Sequence, residues 1–567
     1  MSLPDFAHFR MSGSRKNILL FALLSVLVVT AFSPTLNAGF LEWDDDHNVY
    51  NNPHLQTLST ENLKWMFFDV GRDTRYKALS WLGWAMIHKS FGLHAPAFHA
   101  ANVILHALNA CLVFLLLLRF ARTAGLTEDA HLTKVALVGA AIWAVHPFRV
   151  EPVAWITGFP YQLSLFFLLG AYLSYLRLDF QANVFRQRNY WLALFCYFAA
   201  MLSYPMPIGG VAILIGLNIF PLKRISLTGW RETFSRSTGR VALELAPLAI
   251  ISAAMLAVAV YGAHVRLGIF EKPPTLEEYP FFHRALQACY VWCYYLWKPF
   301  VPFGLSPVYT TFAPINPVSF KLFASVAAFI GISWYVFINR VRRPEWSGFW
   351  LAHLGVLVPV LGINVIGHSQ ADRYSIIHGI LLSMAFVWLA ANRRTKDNEI
   401  QIQIVGAVVA VFFAALTWNQ SAIWENNTTF FTHQVETLPN GGSKAIAQFR
   451  LGNVDYRGGD MAAAETKYRR AREIFPPLPL PELPFRHAEV LFLQRRFQEA
   501  AEQYNLAVQL KPNAYETWYG LSQSLIALGQ LDAAERVCHE ALTLHPDTLE
   551  FHEDLARIRN IKTGQTQ

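Results

Sequence analysis

The stretch "FHAANVILHALNACLVFLLLL", residues 98–118, decides the architecture. It holds no Asp, Glu, Lys or Arg and reaches the roughly 20 residues an α-helix needs to cross a bilayer. Ten more apolar blocks stand along the chain, at about 18–36, 133–148, 152–176, 189–204, 207–221, 241–263, 318–339, 349–366, 374–391 and 402–418. Only 15% of the 567 residues are charged, where a soluble chain carries about 25%. The reading is an all-α, polytopic membrane chain of about eleven transmembrane helices.

Charge orients these spans. "RFARTAGLTEDAHLTK", "RLDFQANVFRQR", "PLKRISLTGWRETFSRSTGR", "NRVRRPE" and "NRRTKDNE" are basic loops, and alternating eleven spans puts all five in the cytoplasm. The net charge of +8 therefore belongs to topology, and nucleic acid is not expected as a partner. Arg10, Arg15 and Lys16 precede the first block, which reads as an uncleaved helix with its N-terminus inside. Residues 284–309 are apolar but would break the alternation if they crossed. Pro299, Pro302 and Pro307 interrupt them, so a re-entrant or interfacial segment is expected. The C-terminus then lies outside. The five cysteines form no CxxC and no disulfide framework; Cys289 and Cys293 share a helix face, with packing as their role.

The domain boundary falls near residue 420. Residues 1–420 form the membrane module and 421–567 a polar, repetitive tail. Trp518, Leu521, Gly529, Ala534, Ala541 and Pro546 fit one 34-residue tetratricopeptide register. Ala500, Tyr504, Ala507 and Pro512 carry the preceding unit, and Leu451, Gly452, Ala464, Tyr468, Ala471 and Pro476 the one before. Three such units and a last helix make a short α-solenoid, whose expected client is a protein or peptide. A scaffold without a client is the alternative.

The outside face carries the chemistry. "GFLEWDDDHNVYNNPHL", residues 39–55, sets Asp44, Asp45 and Asp46 just past the first span. The rest of this loop, to residue 97, includes "TENLKWMFF", read as an interfacial helix capped by Thr60, and a Trp-rich stretch suited to the headgroup level. "HPFRVEPVAW" adds His146, Arg149 and Glu151; "SQADRYS" adds Asp372, Arg373 and Tyr374. Carboxylates meeting arginines at a membrane surface suit a lipid-borne phosphate. A sugar on polyprenyl phosphate already has a good leaving group and needs cations to hold it; the acceptor hydroxyl needs a base. Taken alone, the aspartates also fit a helix cap, a weak calcium site or a solvated corner, and "HPFRVE" fits a helix-terminus ion pair. Asp45 is expected as an exposed carboxylate that holds little of the fold.

The motifs "WDDDHNVYNNP", "HPFRVEPVAWITG", "LSYPM", "PLKR" and "QADRYS", followed by "TWNQSAIWENNTTFFTHQVETLPN" and the repeats, together resemble one family. It is the transmembrane and tetratricopeptide-repeat O-mannosyltransferases and their bacterial relatives, within the C-type glycosyltransferase (GT-C) superfamily. The resemblance implies an inverting transfer of a mannose-like sugar from a polyprenyl phosphate to Ser or Thr of a protein docked by the repeats. It implies an acidic pair at Asp44 and Asp45, one the base and the other orienting the acceptor. Arg373, Arg149 and Lys298 are expected at the donor phosphate; Glu151, His146, Asp372, Tyr374 and Tyr204 are expected to position. No metal or other cofactor is expected. The resemblance places the chain in a bacterial inner membrane, with its repeats in the periplasm. The chain departs from the pattern at Phe159, Pro160 and Tyr161, where relatives carry Arg and Asp, and at Tyr204, where they carry Lys. A non-catalytic assembly factor, or an enzyme acting on a lipid or glycan, are the competing readings.

Overall fold

An apolar run in lipid satisfies its backbone by coiling on itself, and each of the eleven apolar blocks contains a helix in the computed structural model. The structure describes residues 12–70, 76–126, 130–233, 235–265, 275–277, 280–309, 319–361, 370–392, 396–476 and 480–564. Parts of the expected loops (127–129, 367–369 and 393–395) and the end of the ninth block (362–366) lie outside the described residues. Among the described residues there is no strand. Six helical stretches among the described residues are long and apolar enough to cross a membrane: Ala95–Thr123, Ile156–Tyr175, Arg236–Gly262, Phe320–Asn339, Asp372–Asn392 and Ile400–Ala422. Asn17–Ala31, His131–Ala144 and Met206–Ile219 are shorter apolar helices. The chain divides into two compact units, Met1–Asn426 and Asn427–Gln567.

The helix Ala95–Thr123 organises the first unit. Asn102, His106 and Asn109 are spaced four and three apart, so they share one face, and all three are buried. Asn102 Nδ2 donates to the carbonyls of Val153 (3.2 Å) and Trp155 (2.7 Å). His106 Nε2 donates to the carbonyl of Ala144 at 2.8 Å, and Asn109 Nδ2 to that of Gln162 at 3.0 Å. These bonds pin a broken stretch that carries the turn Pro147–Arg149, the short helix Val150–Ala154 and the turn Ile156–Gly158. Interrupted helix leaves backbone carbonyls without intrahelical donors, and the amides and imidazole of this face supply them.

A second device is a glycine groove. Gly209 and Gly216 face Gly355 and Gly348 across the contact between Met206–Ile219 and Pro344–Leu357. A Cβ on Gly216 would sit 2.5 Å from the carbonyl oxygen of Gly348, and one on Gly209 2.2 Å from that of Gly355. Small residues let two helix backbones approach this closely, the usual route to tight helix pairing in membranes.

The helix Phe281–Trp297 stops just before Pro299, and the short turn Lys298–Phe300 follows. Phe281, Phe282, Phe300, Val301 and Phe303 are exposed around it. The five cysteines are free, and Cys293 Sγ donates to the carbonyl of Ser325 at 3.2 Å. The helix expected at the interface spans Thr60–Phe68, but its cap is Ser59, not Thr60: Ser59 Oγ accepts from the amide of Asn62 at 3.1 Å.

The second unit, taken by itself, pairs Gly442–Arg457 with Met461–Ile474, Glu482–Leu493 with Phe497–Leu510 and Tyr515–Ala527 with Leu531–Leu544, then closes with Leu549–Lys562. Ala464, Tyr468 and Ala471 are buried in the first pair, Ala500, Tyr504 and Ala507 in the second, and Ala534, Cys538 and Ala541 in the third. The same C-terminal hydrogen bond closes the first helix of each pair: Asp460 N to Asp455 O, Arg496 N to Leu491 O, Gln530 N to Leu525 O. The residue before each donor has positive φ: Gly459 at 84°, Arg495 at 62° and Gly529 at 73°. The second helix pair thus places arginine where the pairs on either side use glycine.

Candidate active site

Three adjacent carboxylates repel one another, so the chain must separate them. Asp44 takes φ of 70°, a conformation in which Asp is one of the few tolerated side chains. That reversal leaves Asp44 exposed and turns Asp45 inward, while Asp46 opens the single wide turn Asp46–Tyr50. Asp45 is fully buried, which corrects the expectation of an exposed carboxylate. Its Oδ2 accepts from the amide of Leu41 at 3.0 Å. Its Oδ1 accepts from the amide (3.0 Å) and hydroxyl (2.7 Å) of Thr157. Burial outweighs these three donors and pushes its carboxyl up to about 7. Asp45 is therefore a clamp that fastens the acidic turn to Ile156–Gly158. The Trp155 indole adds a bond to the carbonyl of Trp43 at 2.7 Å.

The other end of the same stretch holds Glu151. It is 2% exposed and accepts from the amide of Arg373 at 2.7 Å and from the Arg373 guanidinium. The guanidinium also lies over the rings of Trp155 (5.8 Å) and Tyr374 (4.9 Å). Its Nε is buried, and among the described residues no acceptor meets it. Asp372 Oδ1 accepts from the Tyr309 hydroxyl at 2.6 Å, and the Asp372 carbonyl accepts from Ser375 Oγ at 2.6 Å. Residues 149–158 thus carry the acidic turn on Trp155 and Thr157 and the arginine on Glu151.

Arg149 is buried, donates to Ser375 Oγ at 2.7 Å and to the Trp143 carbonyl at 3.3 Å, and packs on Gly379. His146 Nδ1 accepts from the amide of Phe148 at 3.1 Å, which fixes Nε2 as the protonated nitrogen, donating to the Pro299 carbonyl at 2.8 Å. Lys298 donates to the carbonyl of Phe303 at 2.6 Å. The Tyr204 hydroxyl meets that of Tyr161 at 2.9 Å, with the rings 4.4 Å apart. Tyr161 and Tyr204, two of the residues at which the sequence was expected to depart from the family pattern, are therefore in contact. Thr157, Trp155 and Tyr309 were not singled out by sequence reasoning. Thr157 and Trp155 lie inside a quoted motif, but their role depends on an approach to residues 112 positions away. Nothing in the sequence marks Tyr309.

A tetratricopeptide-repeat family model matches residues 491–558. The chain is similar to the protein O-mannosyl-transferase Tmtc1 of Drosophila melanogaster, 30% identical over 29% of this chain and 19% of that protein. It is 31% identical to TMTC1 of Mus musculus over 28% of this chain and 16% of that protein. To Tmtc3 of Drosophila melanogaster it is 25% identical over 38% of this chain and 25% of that protein. The chain thus spans a quarter or less of these curated relatives. Among solved structures, the first tetratricopeptide repeat of Spaghetti (RPAP3) bound to an HSP90 peptide aligns at TM-score 0.20 and 24% identity, covering 22% of this chain and 96% of that one. The Cut9–Hcn1 hetero-tetramer aligns at TM-score 0.22 and 15% identity, covering 88% of this chain and 99% of that one. The chain is a multi-pass membrane protein with tetratricopeptide repeats and a distant likeness to O-mannosyl-transferases.

Proposed function

We propose that the chain is an inverting glycosyltransferase that moves a mannose-like sugar from a polyprenyl phosphate to a Ser or Thr hydroxyl of a protein. One observation carries this reading: residues 149–158 hold the Asp44–Asp45 turn at one end and the Glu151–Arg373 pair at the other. Geometry precedes pKa in assigning a base. Asp44 is exposed and able to meet an acceptor hydroxyl, whereas Asp45 is sealed by its three donors. Asp44 is therefore the general base and Asp45 its anchor. As the acceptor oxygen bonds to the anomeric carbon, its proton passes to Asp44. The carbon–oxygen bond to phosphate breaks, and the electron pair leaves with the polyprenyl phosphate. Base and leaving group on opposite faces of the sugar invert the centre. Arg373, oriented by Glu151 and with Nε unused, grips the phosphate through its planar fork. Arg149 stands behind it as a brace, because its bonds to Ser375 and Trp143 are made within the protein.

In this reading the acidic turn and the repeats face the periplasm of a bacterial inner membrane, and the repeats dock the protein acceptor. The basic loops support that orientation. A second reading, a non-catalytic assembly factor, is favoured by the Tyr161–Tyr204 pair, two hydroxyls bonded to each other where relatives carry charges. Donor binding to the purified chain in detergent separates the two. The enzyme reading expects a polyprenyl-phosphate sugar to bind wild type, and Arg373→Ala to weaken it by at least ~10-fold, the low end for a charge-assisted contact. Absence of binding to wild type supports the assembly factor.

A further inference from the structure

A buried lysine lies beside the acidic turn. Lys77 is 3% exposed, and its ammonium sits over the rings of Trp81 at 5.6 Å and Trp84 at 5.5 Å. A desolvated ammonium is costly unless it is paired, and this one donates to Asn48 Oδ1. With its oxygen taken, the Asn48 amide has one orientation, and Nδ2 donates to the carbonyl of Asp44 at 2.9 Å. The Asn48 backbone amide donates to the same carbonyl at 2.8 Å. Asn48 is itself 4% exposed. Two donors from one residue thus meet the carbonyl of the aspartate whose φ is 70°. A non-glycine residue persists there only when its surroundings over-determine it. The ring of Trp84 also neighbours Phe159 at 6.1 Å, and Ser80 on the same helix donates to the carbonyl of Ser203 at 2.7 Å. The helix Ala78–Phe91, which Lys77 introduces, is therefore fastened to the rest of the site.

We propose that Lys77 is a positioning residue, acting through Asn48 to hold Asp44 in the left-handed conformation that presents its carboxylate to the acceptor. Neither Lys77 nor Asn48 touches substrate in this role. The proposal rests on Asp44 being the base, but its structural half does not. Lys77→Met keeps the length of the side chain while removing the ammonium, and the buried Asn48 oxygen then loses a donor. Asn48→Ala removes the middle of the relay and keeps Lys77 itself.

The test is hydrogen–deuterium exchange of the full-length protein in detergent, read on peptides covering 44–52, alongside transfer kinetics. Lys77→Met and Asn48→Ala should each speed exchange of that segment by roughly 10-fold, the loss of about one hydrogen bond's protection, with the repeats unchanged. They should lower kcat by roughly 10- to 100-fold, as misplacement of a reacting group does, while the donor KM stays near wild type. Lys77→Arg, which keeps a cation over the indoles and a donor for Asn48, should restore both readouts. Unchanged exchange in both loss variants overturns the proposal whatever the kinetics show. Faster exchange with kcat unchanged overturns the link from Lys77 to Asp44 chemistry. Faster exchange in a wild-type background that transfers no sugar keeps the structural relay and rejects the transferase reading instead.

Discussion

Asp44 and Asp45 are neighbours with opposite fates, and a single backbone angle separates them. With φ of 70° at Asp44, one carboxylate faces solvent and the next is sealed against Leu41 and Thr157. That burial has a measurable pH signature. Unfolded, the Asp45 carboxyl ionises near its ordinary value of 3.8; folded, it keeps its proton until about 7. Between those values the folded state binds more protons, so raising the pH through this window costs stability. Asp45→Asn cannot titrate. The thermal midpoint of wild type, measured relative to that of Asp45→Asn, should therefore fall from pH 5 to pH 8. A relative midpoint that rises instead would mean the three donors stabilise the anion more than burial opposes it. The acidic cluster was legible in sequence because it abuts the end of an apolar run. Which aspartate is buried was not legible, since that is settled by Thr157, 112 residues away. Lys77 was hidden for the same reason: Trp81 and Trp84 follow it at helical spacing, but Asn48 meets it only once the loop folds back.

Helices were the easiest elements to read, because in lipid an apolar run has few other ways to satisfy its backbone. Their interruptions were harder. The break at 146–158 is sustained by Asn102, His106 and Asn109, which in sequence are only polar residues inside an apolar block. The helix cap at Ser59 rather than Thr60 reflects two adjacent hydroxyls that both suit the position. The glycine groove is likewise silent in sequence, since a spacing of seven on one helix means little without its partner. In the structure the carbonyl of Gly348 occupies the place of a Gly216 side chain. Gly216→Leu should therefore force Met206–Ile219 away from Pro344–Leu357 and destabilise the first unit by roughly 1–3 kcal/mol, the usual cost of overpacking. Gly331 has open space around its Cβ position and serves as the control. Detergent-solubilised Gly216→Leu should lose thermal stability, whereas Gly331→Leu should not; equal midpoints would remove the groove from the account.

At the scale of the whole molecule, a membrane unit with an acidic turn and a polar repeat unit share one chain. Composition and charge pattern announced both, because hydropathy and the 34-residue period are long-range averages that need no contact to be seen. The chemistry needs contacts, and these place two sequence motifs on one short stretch, 149–158. In the function proposed, this stretch aligns a base with a phosphate-binding arginine for sugar transfer. The most direct measurement is single-turnover transfer from a radiolabelled polyprenyl-phosphate mannose to a Ser/Thr-rich acceptor protein, comparing wild type with Asp44→Asn. The account predicts transfer with inversion by wild type. It also predicts a fall of at least ~100-fold in Asp44→Asn with donor affinity kept, as loss of a general base entails. Equal transfer by the two proteins, or retention of anomeric configuration, would contradict it.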